Sequence, residues 1–206
     1  SAISYASSLM KEEISDPSQV RLISIIGDNV GRLNRMIEDI LKLSRKAQAR
    51  SEPLKLASFL EELVEEFSQT HALPPHLIHL GEIGPHRIWF DPLHLREVIL
   101  NLLSNAVRYA SKQEGCIRIY AIADNVNRLE LHVQDDGVPI TPEVRAHLFE
   151  PFHTTSSKGT GLGLYLAREL CLNNGAMIDY EYCMDAINDQ SDQIRGRFVI
   201  TIASAN

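Results

Sequence analysis

Lys158-Gly159-Thr160-Gly161-Leu162-Gly163-Leu164 places three glycines within five residues and runs straight into a helical pattern, Leu164, Leu166, Ala167 and Leu170. A chain built this way must turn through backbone conformations that side chains resist and then begin a helix. The first turn of such a helix carries unpaired N–H groups and the positive end of the dipole, which together favour a phosphate. Alone the turn is weak evidence, because many glycine-rich turns only connect elements.

Earlier in the chain, Asn101 and Asn105 stand four residues apart within the apolar series Leu95, Val98, Ile99, Leu102, Leu103 and Ala106. A helix puts both amides on one face. Leaving a buried amide unpaired costs roughly 1–3 kcal/mol per group, so that face is not plain core. With Arg108 and Tyr109 one turn on, it can line a polar cleft where an amide oxygen meets a hard cation and a guanidinium meets phosphate. A solvated helix edge is the other reading. Between the two blocks, Leu129 to Gln134 alternate as a strand that ends in Asp135-Asp136-Gly137. Such an ending is usually a turn, and it can also set an acceptor under the amino group of a purine. Phe149 and Phe152 then precede His153-Thr154-Thr155-Ser156-Ser157, a small polar run suited to a mobile lid.

Asn101…Asn105, Asp135-Asp136-Gly137, Phe149…Phe152 and Gly159-Thr160-Gly161-Leu162-Gly163 resemble, in that order, the N, G1, F and G2 boxes of sensor histidine kinases. The resemblance implies an α+β fold, with a two-layer α/β sandwich ATP-binding domain of the GHKL (Bergerat) type over 51–206. It implies a partial dimerisation and phosphotransfer helical hairpin over 1–50. Carried over residue by residue, Asn105 would give an oxygen to Mg²⁺, and Asn101, the catalytic position, would hold the phosphate or its water. Arg108 and Lys158 would offset phosphate charge, Tyr109 would pack near the ribose or lid, and Asp135 would accept from the adenine amino group. Gly137 would admit the base, while Gly159, Thr160, Gly161, Leu162, Gly163 and Leu164 would close on the phosphates. Catalysis would then be positioning and charge neutralisation.

The implied activity of the whole protein is ATP-dependent phosphorylation of its own histidine, followed by transfer to an aspartate in the receiver domain of a response regulator. Gly159 to Tyr180 is most similar to the branch of the family that governs type IV pilus genes, where the regulator is an NtrC-like activator. None of the eight histidines opens the family's His-Glu-x-x-Asn-Pro box. Ser1-Ala2-Ile3 resembles the residues that follow that box, so the expectation is a chain cut just after the acceptor, with a natural acceptor-less protein as the alternative. Two rivals remain. An ATP hydrolase of the same fold needs a general base where this chain has Asn101, and an amide cannot take a proton from water. A scaffold that dimerises without using ATP is favoured only by Pro139, which stands where the family usually has a second glycine. Proline fixes φ and lacks an N–H, so reduced ATP affinity is expected there. Gly196-Arg197-Phe198 departs from the family's usual start to the last strand and puts one water-mediated adenine contact in question.

With net charge −7, the 206 residues do not suit a general nucleic-acid binder, and no apolar run reaches the roughly 20 residues a membrane span needs. The expectation is a cytoplasmic domain, and the resemblance implies an inner-membrane sensor whose membrane part lies outside this chain. Cys116, Cys171 and Cys183 are too scattered for a metal site and read as reduced packing residues. His71, His76, His79 and His86 fit no standard zinc spacing.

Ile23, Ile26, Val30, Leu33, Ile37 and Ile40 follow the spacing of a coiled-coil seam, although Gly27 and Gly31 cost that helix about 1 kcal/mol each. A shorter helix from Ile3 to about Ile14, ended near Pro17, would complete a hairpin; the resemblance implies that two such hairpins dimerise as a four-helix bundle, and a monomeric hairpin packed on its own domain is the alternative. After Pro53, strands are expected at Leu54 to Leu56, Ile78 to Leu80, Arg87 to Phe90, Cys116 to Ala123, Leu129 to Gln134, Ala176 to Tyr182 and Arg197 to Ile202. Ser58 to about Phe67 reads as a helix with a solvated glutamate face, and Asp91-Pro92 as the cap of the asparagine helix.

Overall fold

The structure, a computed structural model, describes residues 16–44, 49–123, 127–154, 156, 159–184 and 194–204. Helix α1 (Pro17–Ser44) opens on a first-turn proline, and the Asp16 carboxylate accepts from Ser18 N at 2.9 Å. Gly27 and Gly31 do not break it. Ile23 is buried, whereas Ile26, Leu33, Ile37 and Ile40 are each about half exposed and form an apolar stripe along the helix. The shorter helix expected at Ile3 to Ile14 lies outside the described residues.

Strand β1 (Glu52–Lys55) pairs antiparallel with β3 (Arg87–Phe90), with α2 (Leu56–Thr70) and β2 (Ile78–Leu80) between them in sequence. Helix α3 (Pro92–Tyr109) follows. Asp91 caps it by accepting from Leu93 N and His94 N, and its other oxygen accepts from Arg50 N at 2.8 Å. Then come β4 (Ile117–Ala123), β5 (Arg128–Asp135), the short α4 (Pro142–Ala146), α5 (Gly163–Asn173), β6 (Met177–Met184) and β7 (Ile194–Ala203). The main sheet has the order β2-β4-β5-β7-β6, parallel only between β2 and β4. This is the expected α+β sandwich.

Alternation along the strands sends Ile117 and Ile119, Leu129, Leu131 and Val133, and Phe198, Ile200 and Ile202 into one core with Leu60 and Phe67 of α2, Leu95 to Leu103 of α3 and Leu166 to Leu170 of α5. Each such side chain is worth about 1.5–3 kcal/mol of transfer free energy, which holds α3 and α5 side by side on the sheet. Asn174, just past α5, fixes their relative height. Its Oδ1 accepts from Asp91 N at 2.8 Å, and its Nδ2 donates to Leu170 O. Arg96 of α3 also forks onto Glu66 of α2, at 2.6 and 2.8 Å, so one member of the glutamate face is tied to its neighbour helix.

The other face of the sheet holds a buried histidine. His132 on β5 is fully buried and stacks on Tyr120 at 4.7 Å, and neither ring nitrogen makes a hydrogen bond among the described residues. Its Nε2 does approach Glu130 Oε2 to 3.3 Å, but off hydrogen-bonding geometry. Burial, then the nearby Arg197 guanidinium, pulls the imidazole down to about 4, with Glu181 acting weakly the other way. The unfolded chain therefore takes up this proton near pH 6.5 and the folded chain only near 4. Stability should be full above 6.5 and fall with pH across that window, by about 3 kcal/mol at most. Urea unfolding from pH 7 to 4 should show His132→Leu losing less stability than wild type by about that amount. Equal slopes would mean that His132 is not the proton acceptor.

Candidate functional site

The C-terminal half of α3, the end of β5 and the start of α5 border a cleft of about 670 Å³, which α1 also reaches. Asn101 and Asn105 both line it, as the four-residue spacing requires. Asn101 Nδ2 donates back to Glu97 O at 2.9 Å, which orients the amide and leaves Oδ1 pointing at α5. A Cβ on Gly163 would come within 2.6 Å of that oxygen, so glycine is what lets the two walls approach. Asn105 is partly buried and makes no hydrogen bond with a described residue. Its amide oxygen is a hard donor of the kind a divalent cation takes. Arg108 and Tyr109 line the cleft while remaining largely exposed.

The adjacent carboxylates have different partners. Asp136 accepts from Ser111 N at 2.8 Å and from Ser111 Oγ at 2.5 Å, and its backbone oxygen accepts from Arg195. It is committed to holding the end of α3 against the sheet. Asp135 faces the cleft, where Oδ1 accepts from Gly137 N at 2.9 Å and no described residue donates to Oδ2. Burial pushes the Asp135 carboxyl up from its ordinary value, the Gly137 N–H pulls it down, and Asp136 adds an upward contribution. A Cβ on Gly137 would meet Asp135 Oδ1 at 2.6 Å and Tyr109 O at 2.7 Å.

The glycine turn closes on itself. Gly161 adopts φ +73°, and Phe152 N donates to its carbonyl at 2.9 Å, which brings the chain at Phe152 and at Gly161 together. Thr160 Oγ1 accepts from Leu162 N and donates to Asp39 Oδ2 at 3.0 Å, tying the turn to α1. Helix α5 begins at Gly163 with no side-chain cap and no acidic residue in its first turn, so its N–H groups face the cleft beside Leu164. Gly159 also lines the cleft. Leu162 is buried beneath the turn and is not among the residues lining the cleft. Lys158 lies outside the described residues.

Several lining residues carry no mark in the sequence: Arg35, Glu38 and Asp39 from α1, and Tyr180 from β6. Gly196 and Phe198, part of the departure already noted at the last strand, line the cleft as well. Tyr180 Oη accepts from Ile140 N at 2.9 Å and Tyr182 Oη donates to Ile140 O at 2.7 Å, so both polar groups of that backbone unit are held by β6. Pro139 precedes this clamp and lines the cleft. Pro139 takes a negative φ, as its ring requires.

Residues 90–203 match the family described as histidine kinase-, DNA gyrase B- and HSP90-like ATPases. This chain belongs to that family. The matched segment runs from the end of β3 through β7 and contains the asparagine pair, Asp135 and the glycine turn. The chain is 40% identical over 190 residues to the sensor protein kinase PilS of Pseudomonas aeruginosa, covering 87% of this chain and 34% of that protein. It is 27% identical over 164 residues to the signal transduction histidine-protein kinase AtoS of Escherichia coli, covering 79% and 27%. The chain thus spans about a third of the length of these curated relatives. Among solved structures, the Acinetobacter baumannii histidine kinase AdeS superposes with a TM-score of 0.66 at 20% identity, over 100% of this chain and 95% of that one. Full-length ShkA, solved in complex with AMPPNP, gives 0.65 at 21% identity over 97% and 42%. These two establish the fold. No described helix is long and apolar enough to cross a membrane.

Proposed function

We propose that the cleft binds ATP with Mg²⁺ and that, in the whole protein, the γ-phosphoryl passes to a histidine and then to a response-regulator aspartate. One observation carries this reading: a single cleft is lined by a carboxylate with one unengaged oxygen, by the amides of Asn101 and Asn105, and by the uncapped start of a helix that the Asn101 oxygen faces. Asp135 accepts from the adenine amino group, and Gly137 keeps the space beside it open. The N–H groups at the start of α5 and the Arg108 guanidinium take the phosphates. Asn105 and the oriented Asn101 oxygen offer the hard donors that suit Mg²⁺, which when bound neutralises phosphate charge. Leu164 and the loop 152–161 exclude water from the phosphate end.

Transfer is favoured over hydrolysis because Asn101 holds the position of a general base and cannot accept a proton. The whole protein acts as a dimer through the apolar stripe of α1, within a 1–50 hairpin set apart from the 51–206 catalytic domain. It is the cytoplasmic part of an inner-membrane sensor whose regulator, an NtrC-like activator, serves type IV pilus genes. The likeness to PilS supports this last assignment.

Calorimetric titration with AMPPNP should give binding that tightens when Mg²⁺ is added. Asn105→Ala should remove that gain, weakening Mg²⁺-dependent affinity roughly tenfold, the scale of one lost interaction of about 1.4 kcal/mol. Absence of binding at millimolar nucleotide would sink the reading and leave the scaffold in its place.

A further inference from the structure

Tyr180 stands at the base end of the cleft in a position that glycine at 196 makes possible. A Cβ on Gly196 would lie 1.5 Å from the Tyr180 hydroxyl, so any other residue there would expel the phenol. The phenol is also fixed in direction. Its ring packs edge-on against Phe198 at 5.2 Å and Tyr182 at 5.7 Å, and the side chain is 4% exposed. Its oxygen accepts the Ile140 N–H, which occupies one lone pair and leaves the O–H proton without a described acceptor. Asp135 lines the same end of the cleft, with Oδ2 equally unengaged.

We infer that the Tyr180 hydroxyl reads the base alongside Asp135, donating to a ring nitrogen next to the exocyclic amino group that Asp135 accepts from. An acceptor and a donor side by side match the edge of adenine, which offers an N6 amino donor next to the N1 acceptor. They oppose guanine, which shows an O6 acceptor and an N1–H donor at the same two places. A site built around hydrogen bonds rejects the analogue that cannot make them, because its own groups are left unpaired. Burial, and then the Asp135 charge among its neighbours, raises the phenol's pKa, so the donor keeps its proton at neutral pH. The inference rests on nucleotide occupying this cleft and adds the group that selects its base.

The competing role is a wall that only clamps Ile140. Titrating ADP, GDP and 1-deaza-ADP, in which a CH replaces N1, against wild type and Tyr180→Phe separates the two. Wild type should bind ADP about tenfold more tightly than 1-deaza-ADP, the scale of one hydrogen bond, and should discriminate at least as strongly against GDP. Tyr180→Phe should weaken ADP and shrink the 1-deaza penalty to less than about twofold. A variant that weakens both adenine ligands equally and keeps the penalty has lost only the clamp, which overturns the inference. GDP binding as well as ADP does so too. Failure of wild type to bind ADP at all removes the nucleotide reading itself, and this inference with it.

Discussion

Gly161→Ala should cost at least about a hundredfold in nucleotide affinity while leaving the sheet and its core folded. Gly161 sits at φ +73°, where a Cβ costs roughly 1–2 kcal/mol from local sterics alone. The larger effect comes from contact. The new Cβ would lie 2.5 Å from the Phe152 carbonyl carbon, 2.8 Å from its Cα and 2.9 Å from His153 N, all backbone atoms that no rotamer change can move. Phe152 is itself held at φ +64°, so neither side of the contact has an easier conformation nearby. The Phe152 N to Gly161 O bond must break, and with it the closure of the glycine turn on Phe152. The core cluster lies elsewhere, so the melting temperature should fall by no more than about 5 °C. AMPPNP titration with a parallel thermal melt checks both numbers, and binding within threefold of wild type would refute the role given to this turn.

Asp135→Ala should be about as damaging to binding and should leave a distinct pH signature. A hydrogen bond from a ligand to a charged acceptor is worth about 1.5–3 kcal/mol, which corresponds to roughly ten- to a hundredfold, and Gly137 N loses its partner as well. Because burial raises the carboxyl's pKa, acidification protonates it earlier than an ordinary aspartate. Only the ionised form accepts on both oxygens, so ADP affinity of wild type should fall as pH drops through that raised value, and the alanine variant should show no such fall. Asp136→Ala is the informative contrast. Its carboxylate is spent on Ser111, so its loss should lower the melting temperature more than it lowers affinity. If the two variants behave alike, the division of roles between the neighbouring carboxylates is wrong.

Local signals in the chain were well read where the backbone itself determines the outcome. Asp91-Pro92 announces a capped helix because one side chain and one ring satisfy the first turn, and α3 begins there. β3 covers the expected Arg87–Phe90 because its alternation lies between Gly84 and that cap. Thr141-Pro142 carries the same signal as Asp91-Pro92 and was missed, since α4 lasts only five residues and its apolar pattern is too short to register. The asparagine pair, Asp135 and the glycine turn were legible because each is a compact motif on one element. Gly196 and Phe198 stand out only through the resemblance, and Tyr180 joins them through the β6–β7 register, which sets Tyr180 opposite Phe198 and Tyr182 opposite Gly196. Arg35, Glu38 and Asp39 escaped notice for a similar reason, being polar positions beside an apolar seam with nothing local to mark them for the cleft.

Asp39, which holds Thr160, and the apolar stripe of Ile26, Leu33, Ile37 and Ile40 belong to one unbroken helix of 28 residues. A helix hydrogen-bonded along its whole length turns about its axis as a single shaft. Whatever grips the stripe therefore sets the angle at which Asp39 is presented, and a small rotation carries its carboxylate out of reach of the Thr160 hydroxyl. The shaft gears the covering of one flank to the fastening of the loop on the other, with no residue needing to touch both.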